Sequence, residues 1–498
     1  MQYRRYIFWA IVFFAAIVRF KGLSSGLPLH TLYGENDTFQ TLQQMLHSGD
    51  LNPHQFVYPA LAYYIYLPFL YLFYAIGLAF GYFDGISTVP DASWIFIGRC
   101  VSAFLGTASV VLAYRVGRYF SEAIALLAMT ILSAVPQHIE FSHMLRPEIP
   151  AIFFLLLAQW LALEMLSAPR RRTFLLFGLA AGACFCTKYN IGLPLLISLA
   201  VGSWLNRQEI RWHWPLESFL VFGLTFAAIN PLLVVDPPTM LYWIRRLDSY
   251  YVPSEDYYGK GVVFYYLEYL TRYNYNLPLI LAAILGIVVT AFRNWKRGLL
   301  LAAYPLGLFL WLCTFESRRI HGLLPLHPYL ALWAASTLIA LWQGTRRISG
   351  ATFFRIAYSL LLCAILFFPF YRSCVQTYLL SRADNRSKAE LWITNQLPRG
   401  SRIALLQYHQ IELDPDYFQI QNFSPREYAG ARNFHWFAEQ GFDYVVLSSG
   451  QYMRYFVEGP RAESYKDYFL RFFQDASREG TLVLDLITHP TLIPDYRI

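Results

Sequence analysis

The sequence predicts a polytopic α-helical membrane protein that ends in a small α/β domain outside the membrane. Three observations predict it. Charged residues make up only 14% of the 498-residue chain, while hydrophobic residues reach 56% and aromatic ones 18%; ordinary soluble domains carry roughly 25% charged residues. The apolar residues fall in long blocks, at 6–18, 60–80, 149–163, 191–204, 277–291, 299–312, 323–341 and 356–370. Several of these meet or approach the roughly 20 residues that cross a bilayer. Beyond residue 372 the apolar runs shrink to strand length. Counting flanking aromatics, about eleven or twelve spans are expected.

The first block follows Arg4 and Arg5, as a signal peptide would. The residues behind it, VRFKGLSSGLP, hold no small-x-small cleavage site, so it reads as a retained first helix. The net charge of +8 does not call for a nucleic acid, because the basic residues form no stripe with interleaved aromatics. They cluster in short loops: PRRR at 169–172, NRQEIR at 206–211, FRNWKR at 292–297 and GTRR at 344–347. Positive charge in short loops marks the cytoplasmic side. The segment 114–122, with Arg115 and Arg118, falls inside as well. The alternation then puts 21–58, 138–148, 188–190, 230–276, 316–321 and everything after Arg372 outside.

One step leaves two paths open. If 21–58 and 81–93 are both outside, the block 60–80 makes no single full crossing. Either Pro59 and Pro68 break or hairpin the segment, or 81–93 lies inside. At the other end, SRIALL (401–406), DYVVLSS (443–449) and TLVLDL (481–486) read as strands, with helices over 387–396 and 464–474. LPRGSR, at 397–402, stops the first of these helices and turns into a strand. The expected domains are therefore 1–372 in the membrane and 373–498 outside it. The six cysteines give no disulfide framework, and Cys184 and Cys186 stand two apart without metal-ligand company; packing accounts for them.

With the sides assigned, the unusual polar residues gather on the outer one. Glu35 and Asp37 lie in YGENDTFQTLQQML, just past the first helix. His143, Arg146 and Glu148 lie in FSHMLRPE, at the mouth of a helix. Lys188 and Tyr189 interrupt an apolar hairpin, and Arg318, Arg319 and His321 form a basic cluster against the charge rule. Ionisable groups at membrane depth are costly and point to function. Acids beside cations at one interface suit transfer of a group from a lipid phosphate to a hydroxyl or amine. A carboxylate takes the acceptor's proton, and Lys and Arg neutralise charge on the departing phosphate.

Plainer roles exist for each residue. Asp37 suits a helix N-cap, Glu148 suits the positive end of a helix dipole, Lys188 can snorkel to headgroups, and Arg318 and Arg319 can anchor anionic lipid. His138 and His143 lack a third ligand, so a metal site between them is not expected.

The same residues carry a family likeness. YGENDTFQTLQQMLHSGDLNPHQFVYPALAYYIYLPF resembles the first external loop of the GT-C glycosyltransferases that use polyprenyl-phosphate sugars, the superfamily of the protein O-mannosyltransferases and the lipid A aminoarabinose transferases. In order, residues 98–120 are similar to that superfamily's third helix, and FSHMLRPE to its second acidic motif. GLAAGACFCTKYN (178–190) resembles its G-x-x-x-G…TK segment, NPLLVVDPP (230–238) the start of a later external loop, and SRRIHGLLPLHPYLAL (317–332) its R-Y-x-x-P-x-x-P stretch. ADNRSKAELWITNQLPRGSRI (383–403) resembles the start of the external domain of many bacterial members.

The resemblance implies a GT-C-like membrane domain and an inverting transfer of a sugar from a polyprenyl-phosphate carrier to an extracytoplasmic lipid, glycan or protein, at a bacterial plasma membrane. It implies Glu35 or Asp37 as the catalytic carboxylate, since Asn36 replaces the usual second acid. Glu148 would orient the acceptor or bind a metal, with Arg146, His143 and Tyr189 in support. Lys188, Arg318, Arg319 and His321 would hold the donor phosphate. Some branches use a divalent metal and others do not, so no cofactor is assigned.

The rival class is a transporter or lipid flippase, which shares the spans and the intramembrane charges. Such proteins commonly show internal repeats and ionisable groups near the midplane, whereas this sequence has no evident repeat and its ionisable groups gather on one side. A third class, a structural protein whose external domain binds partners, would leave the acids incidental.

Overall fold

The computed structural model describes residues 2–28, 32, 34–249, 261–315, 318–345, 351–406, 411, 413–423, 433–447 and 462–486. Arg346 and Arg347 of the last basic loop, and the end of the strand expected over 443–449, lie outside the described residues. The chain falls into two compact units, one of Met1–Leu23, Gly34–Val252 and Val262–Leu379, the other of Ser24–Tyr33, Pro253–Gly261 and Leu380–Ile498. The helix Ala351–Leu380 runs on through residues 372–373, where the sequence suggests the domain boundary.

The first unit is helical. Its opening helices are α1 (Gln2–Phe20), α2 (Glu35–Ser48), α3 (Leu61–Tyr64), α4 (Leu67–Ala79), α5 (Asp91–Gly117), α6 (Glu122–Ser133), α7 (Pro136–Ser142), α8 (Glu148–Ser167), α9 (Arg171–Thr187), α10 (Tyr189–Gly192), α11 (Leu195–Leu205) and α12 (His213–Ile229). Among the described residues six helices are long and apolar enough to cross a membrane: Leu61–Ala79, Asp91–Gly117, Glu148–Ser167, Trp295–Cys313, Ile320–Thr345 and Thr352–Gln396. Counting the pair α6 and α7, bent by 64°, as one span brings the number to 7.

That is fewer full-length spans than the eleven or twelve expected. Several apolar blocks form shorter helices, Tyr189–Leu205, His213–Ile229 and Leu277–Arg293. A helix of 17 residues reaches about 25 Å, short of the roughly 30 Å hydrocarbon layer.

The helix at 60–80 packs against α5. In α2, Gln43 donates to Asp91, the first residue of α5, at 2.8 Å. The Tyr66 hydroxyl lies 2.9 Å from Ser102 Oγ, while the rings of Phe73 and Tyr74 stand 5.9 and 6.4 Å from Trp94. The helix Leu61–Ala79 thus runs back along the first third of α5 and returns the chain to the end of α5 from which α2 is held. It is long and apolar enough to span a membrane.

Small residues bring α9 and α12 together. A Cβ at Gly178 would land on the Ser218 carbonyl, and one at Gly182 on Thr225 and the Phe222 carbonyl. Close backbone approach of this kind is how helices associate where lipid removes the hydrophobic drive.

The second unit contains a parallel sheet of β1 (Arg402–Leu406), β2 (Gln419–Phe423) and β3 (Tyr444–Val446) in the order β2-β1-β3. Ile403 pairs with Ile420 on one side and Tyr444 on the other. Both faces are covered, as a parallel sheet requires. Ala404 joins Phe423, Phe437, Phe469 and Phe472, while Ile403 and Leu405 join Ile393, Leu413 and Phe418.

Helices Asn385–Gln396 and Ala462–Glu479 stand near the expected positions, the first capped by Asp384, which accepts the Arg386 N–H at 2.8 Å. The strand expected over 481–486 does not form, and those residues have no regular structure. Alternating hydrophobicity supplies a face but no ladder partner. The strand Gln419–Phe423 replaces it in the sheet, and its polar QIQNF gives little sequence signal.

Candidate active site

The segment between α1 and α2 enters the site at Gly34, which lies in the left-handed region with φ +72. The space a Cβ would fill there is taken by the Arg146 guanidinium. Only glycine meets both demands, so the YGEND and LRPE segments interlock at this residue.

Glu35, the first residue of α2, is fully buried. It accepts from Arg99 Nε at 2.8 Å and Nη2 at 2.6 Å, and from the Leu145 N–H at 2.7 Å. Arg99 also donates to the Leu23 carbonyl at 2.6 Å. Glu35 therefore joins α2, α5 and the turn before α8 in one buried, bidentate pair. Asp37, two residues on, is exposed. It is not the N-cap of α2, a position Gly34 holds. Its backbone carbonyl accepts from Thr41 and Gln55, and its charge reaches the hydroxyls of Tyr58 and Tyr63.

Glu148 opens α8, where the helix dipole favours an acid. Arg146 donates to it through Nε at 3.1 Å and Nη2 at 2.7 Å, and Lys188 Nζ stands 2.6 Å from Oε1. The Arg146 carbonyl accepts from the buried Tyr66 hydroxyl at 2.7 Å, and its guanidinium lies over Phe141. Lys188 sits in the break between α9 and α10, in extended conformation, and its carbonyl accepts the N–H groups of Ile191 and Gly192.

His321, half-buried in a tight turn of helix over Ile320–Leu326, lies within electrostatic reach of Glu148, Arg146, Lys188 and Arg319. Two distant segments, 146–188 and 319–321, thus meet at one cluster.

Other expected site residues stand elsewhere. Arg318 points its guanidinium over the Tyr265 ring, 5.6 Å from its centroid. His143 faces two backbone carbonyls, Ile139 through Nδ1 at 2.8 Å and Lys21 through Nε2 at 2.9 Å, on the Arg99 side of the site. Tyr189 packs edge-on against Phe185 at 5.3 Å. His138 faces Arg19 Nη2 at 3.0 Å, not a metal ligand set.

Two residues at the site are missing from the sequence reading. Arg99 is one; an arginine inside the apolar run FIGRCVSA signals a buried acid partner. Tyr58 is the other. Lys188 Nζ lies 5.6 Å from its ring centroid, Arg146 bonds its hydroxyl, and the charges of Glu148 and Asp37 reach it. Burial pushes its phenol up to about 12, so it is a hydrogen-bond donor at neutral pH. Tyr58 thus lies within electrostatic reach of both the exposed acid and the cation cluster.

A divalent ion does not fit this donor set. Glu148 offers its oxygens to a guanidinium and an ammonium group, and a dication there would face those cations. Among the described residues no three His, Cys, Asp or Glu side chains come together as ligands. What the cluster suits is an anion. Arg146, Lys188 and Arg319 against Glu148 leave a net charge of two positive units for a group arriving between them.

Comparison with known proteins bears on the fold. Residues 92–235, which hold Arg99, Arg146, Glu148 and Lys188, match the family model described as dolichyl-phosphate-mannose-protein mannosyltransferase. The chain shares its fold with ArnT from Cupriavidus metallidurans, solved bound to undecaprenyl phosphate, with a TM-score of 0.53 at 16% identity over 84% of this chain and 85% of that one. It also shares it with the oligosaccharyltransferase AglB from Archaeoglobus fulgidus, solved with an inhibitory peptide and a dolichol-phosphate, with a TM-score of 0.52 at 12% identity over 93% and 72% of the two chains. No curated protein sequence matches this one. The fold is GT-C-like, and the resemblance read from the sequence is borne out.

Proposed function

We propose that the protein is an integral membrane glycosyltransferase that moves a sugar from a polyprenyl-phosphate donor to a hydroxyl or amine of an extracytoplasmic acceptor, with inversion. The observation that carries this reading is the Arg146–Glu148–Lys188 cluster under Tyr58, with the exposed carboxylate of Asp37 within electrostatic reach of the same hydroxyl.

In this reading Asp37 takes the acceptor's proton as the acceptor atom attacks the anomeric carbon. The bond from that carbon to the phosphate oxygen breaks on the opposite face, and the phosphate leaves with the electron pair. Arg146, Lys188 and Arg319 neutralise the charge it gains, and the Tyr58 hydroxyl donates to it. Glu148 holds the two nearest cations in place, and Glu35 is part of the scaffold. No step passes through a metal ion.

The basic loops at 169–172, 206–211 and 292–297 support a cytoplasmic location for the far side. The site and the α/β domain beyond residue 372 then face outward from a bacterial plasma membrane. The transporter reading finds no support in the family match or the shared fold. Mass analysis of lipid-linked glycans and envelope acceptors, with and without the gene, tests the proposal. A sugar missing from an acceptor and accumulated on its carrier is expected; unchanged sugar masses on both would contradict it.

A further inference from the structure

Tyr58 and Lys188 come from distant segments, yet the lysine Nζ stands 5.6 Å from the tyrosine ring centroid. Neither segment fixes that spacing by itself. Tyr58 lies ahead of α3 in residues without regular structure, and Lys188 lies in the break between α9 and α10. One side chain is bonded beside both. Asn230, buried at the end of α12, accepts the Ala60 N–H through Oδ1 at 2.8 Å. Its Nδ2 donates to Cys186 Sγ at 3.5 Å and to the Phe226 carbonyl at 3.2 Å. Ala60 follows Tyr58 by two residues, and Cys186 precedes Lys188 by two.

The bond to Ala60 has a chemical reason. Ala60 is the N-cap of α3, where N–H groups find no partner within the helix. It is also buried, with Phe56 and Leu233 around it, so an unmet N–H there costs free energy. Pro59 has no N–H to offer, which makes the Ala60 amide the first backbone donor after Tyr58. Closing the end of α12 accounts for the bond from Asn230 to Phe226. It accounts for neither the bond to Ala60 nor the one to Cys186.

We infer that Asn230 is a positioning residue for the cation cluster: its amide holds the segments of Tyr58 and Lys188 at one spacing, so that the hydroxyl and the ammonium group meet the same phosphate. The inference rests on the proposed function, in which both groups meet the departing phosphate. Loss of the amide then falls on phosphate affinity, and it acts through Tyr58.

The test uses the full-length protein in nanodiscs, undecaprenyl phosphate as the probe, and the variants Asn230→Leu, Tyr58→Phe and the two combined. Tyr58→Phe is expected to weaken binding about tenfold, the scale of one hydrogen bond to a charged group, and Asn230→Leu by about as much. The double variant should bind within about twofold of either single one, because the two residues share one effect. An amide that only stabilises the fold gives losses that multiply, to about a hundredfold in the double variant, and that result overturns the inference. So does an Asn230→Leu protein that binds as wild type does. Should the leucine variant unfold, Asn230→Ala goes through the same cycle.

Hydrogen exchange on the wild type gives a readout free of variants. The probe is expected to protect residues 58–62 and 186–192 together, and protection of one segment alone overturns the inference. If wild type binds no undecaprenyl phosphate, the proposed function fails along with it. If wild type binds and the two losses multiply, the role of Asn230 fails alone.

Discussion

Neutralising Glu35 should damage the fold rather than the chemistry. In Glu35→Gln the guanidinium of Arg99, fully buried and held at 2.6–2.8 Å from the carboxylate, keeps its charge and loses its counter-ion. Breaking such a buried pair from one side costs about 3–5 kcal/mol, and the Leu145 N–H contact at 2.7 Å is weakened as well. The pair closes the start of α2 onto α5, so most of the cost falls on the segment that presents Asp37.

The double variant Glu35→Leu with Arg99→Met removes both charges at once and should recover most of the loss. A coupling energy of about 2–3 kcal/mol is expected from the cycle. The assay is reversible denaturation in mixed micelles, with transfer activity measured on the folded fraction. If Glu35→Gln unfolds like wild type yet abolishes transfer, Glu35 is the base and the reasoning is refuted.

Three further outcomes follow from the geometry. Gly34→Ala forces a side chain into the left-handed region and onto the Arg146 guanidinium, and should cost about 1–3 kcal/mol in the same denaturation assay, with a matching loss of transfer. Lys188→Met leaves Glu148 paired with Arg146 alone, and should lower kcat by about a hundredfold or more, with a smaller change in acceptor KM. In the loop after α2, the Asn52 N–H at 2.8 Å and His54 hold the Asp50 carboxyl below its ordinary range. A depressed folded value means that this stabilisation is present above the unfolded pKa, about 3.9, and is lost as pH falls through the folded one. Hydrogen-exchange protection over residues 49–56 should therefore drop below pH about 4.

Much of the candidate site was legible in the sequence because ionisable groups stand out in apolar surroundings. Arg146, Glu148, Lys188, Arg319 and His321 stand out against apolar surroundings, and the structure brings them to one cluster. What composition and spacing do not separate is an acid used to build from an acid left open. Glu35 and Asp37 are two residues apart in one helical turn, and only the distant Arg99 tells them apart. Tyr58 is hidden among the 37 tyrosines of the chain, and its place under Lys188 is a tertiary fact. The same limit governs the fold. Hydropathy at 60–80 reports a helix that is apolar enough to span, but not that it packs along α5 through Tyr66 at Ser102 and Phe73 at Trp94.

The central claim is that Asp37, not Glu35, is the base at a metal-free phosphate clamp. Transfer by purified Asp37→Asn, compared with wild type at equal thermal stability, tests it most directly. The account predicts an unshifted melting temperature and a fall in kcat of about a hundredfold or more. An Asp37→Asn protein that transfers sugar at the wild-type rate would contradict it.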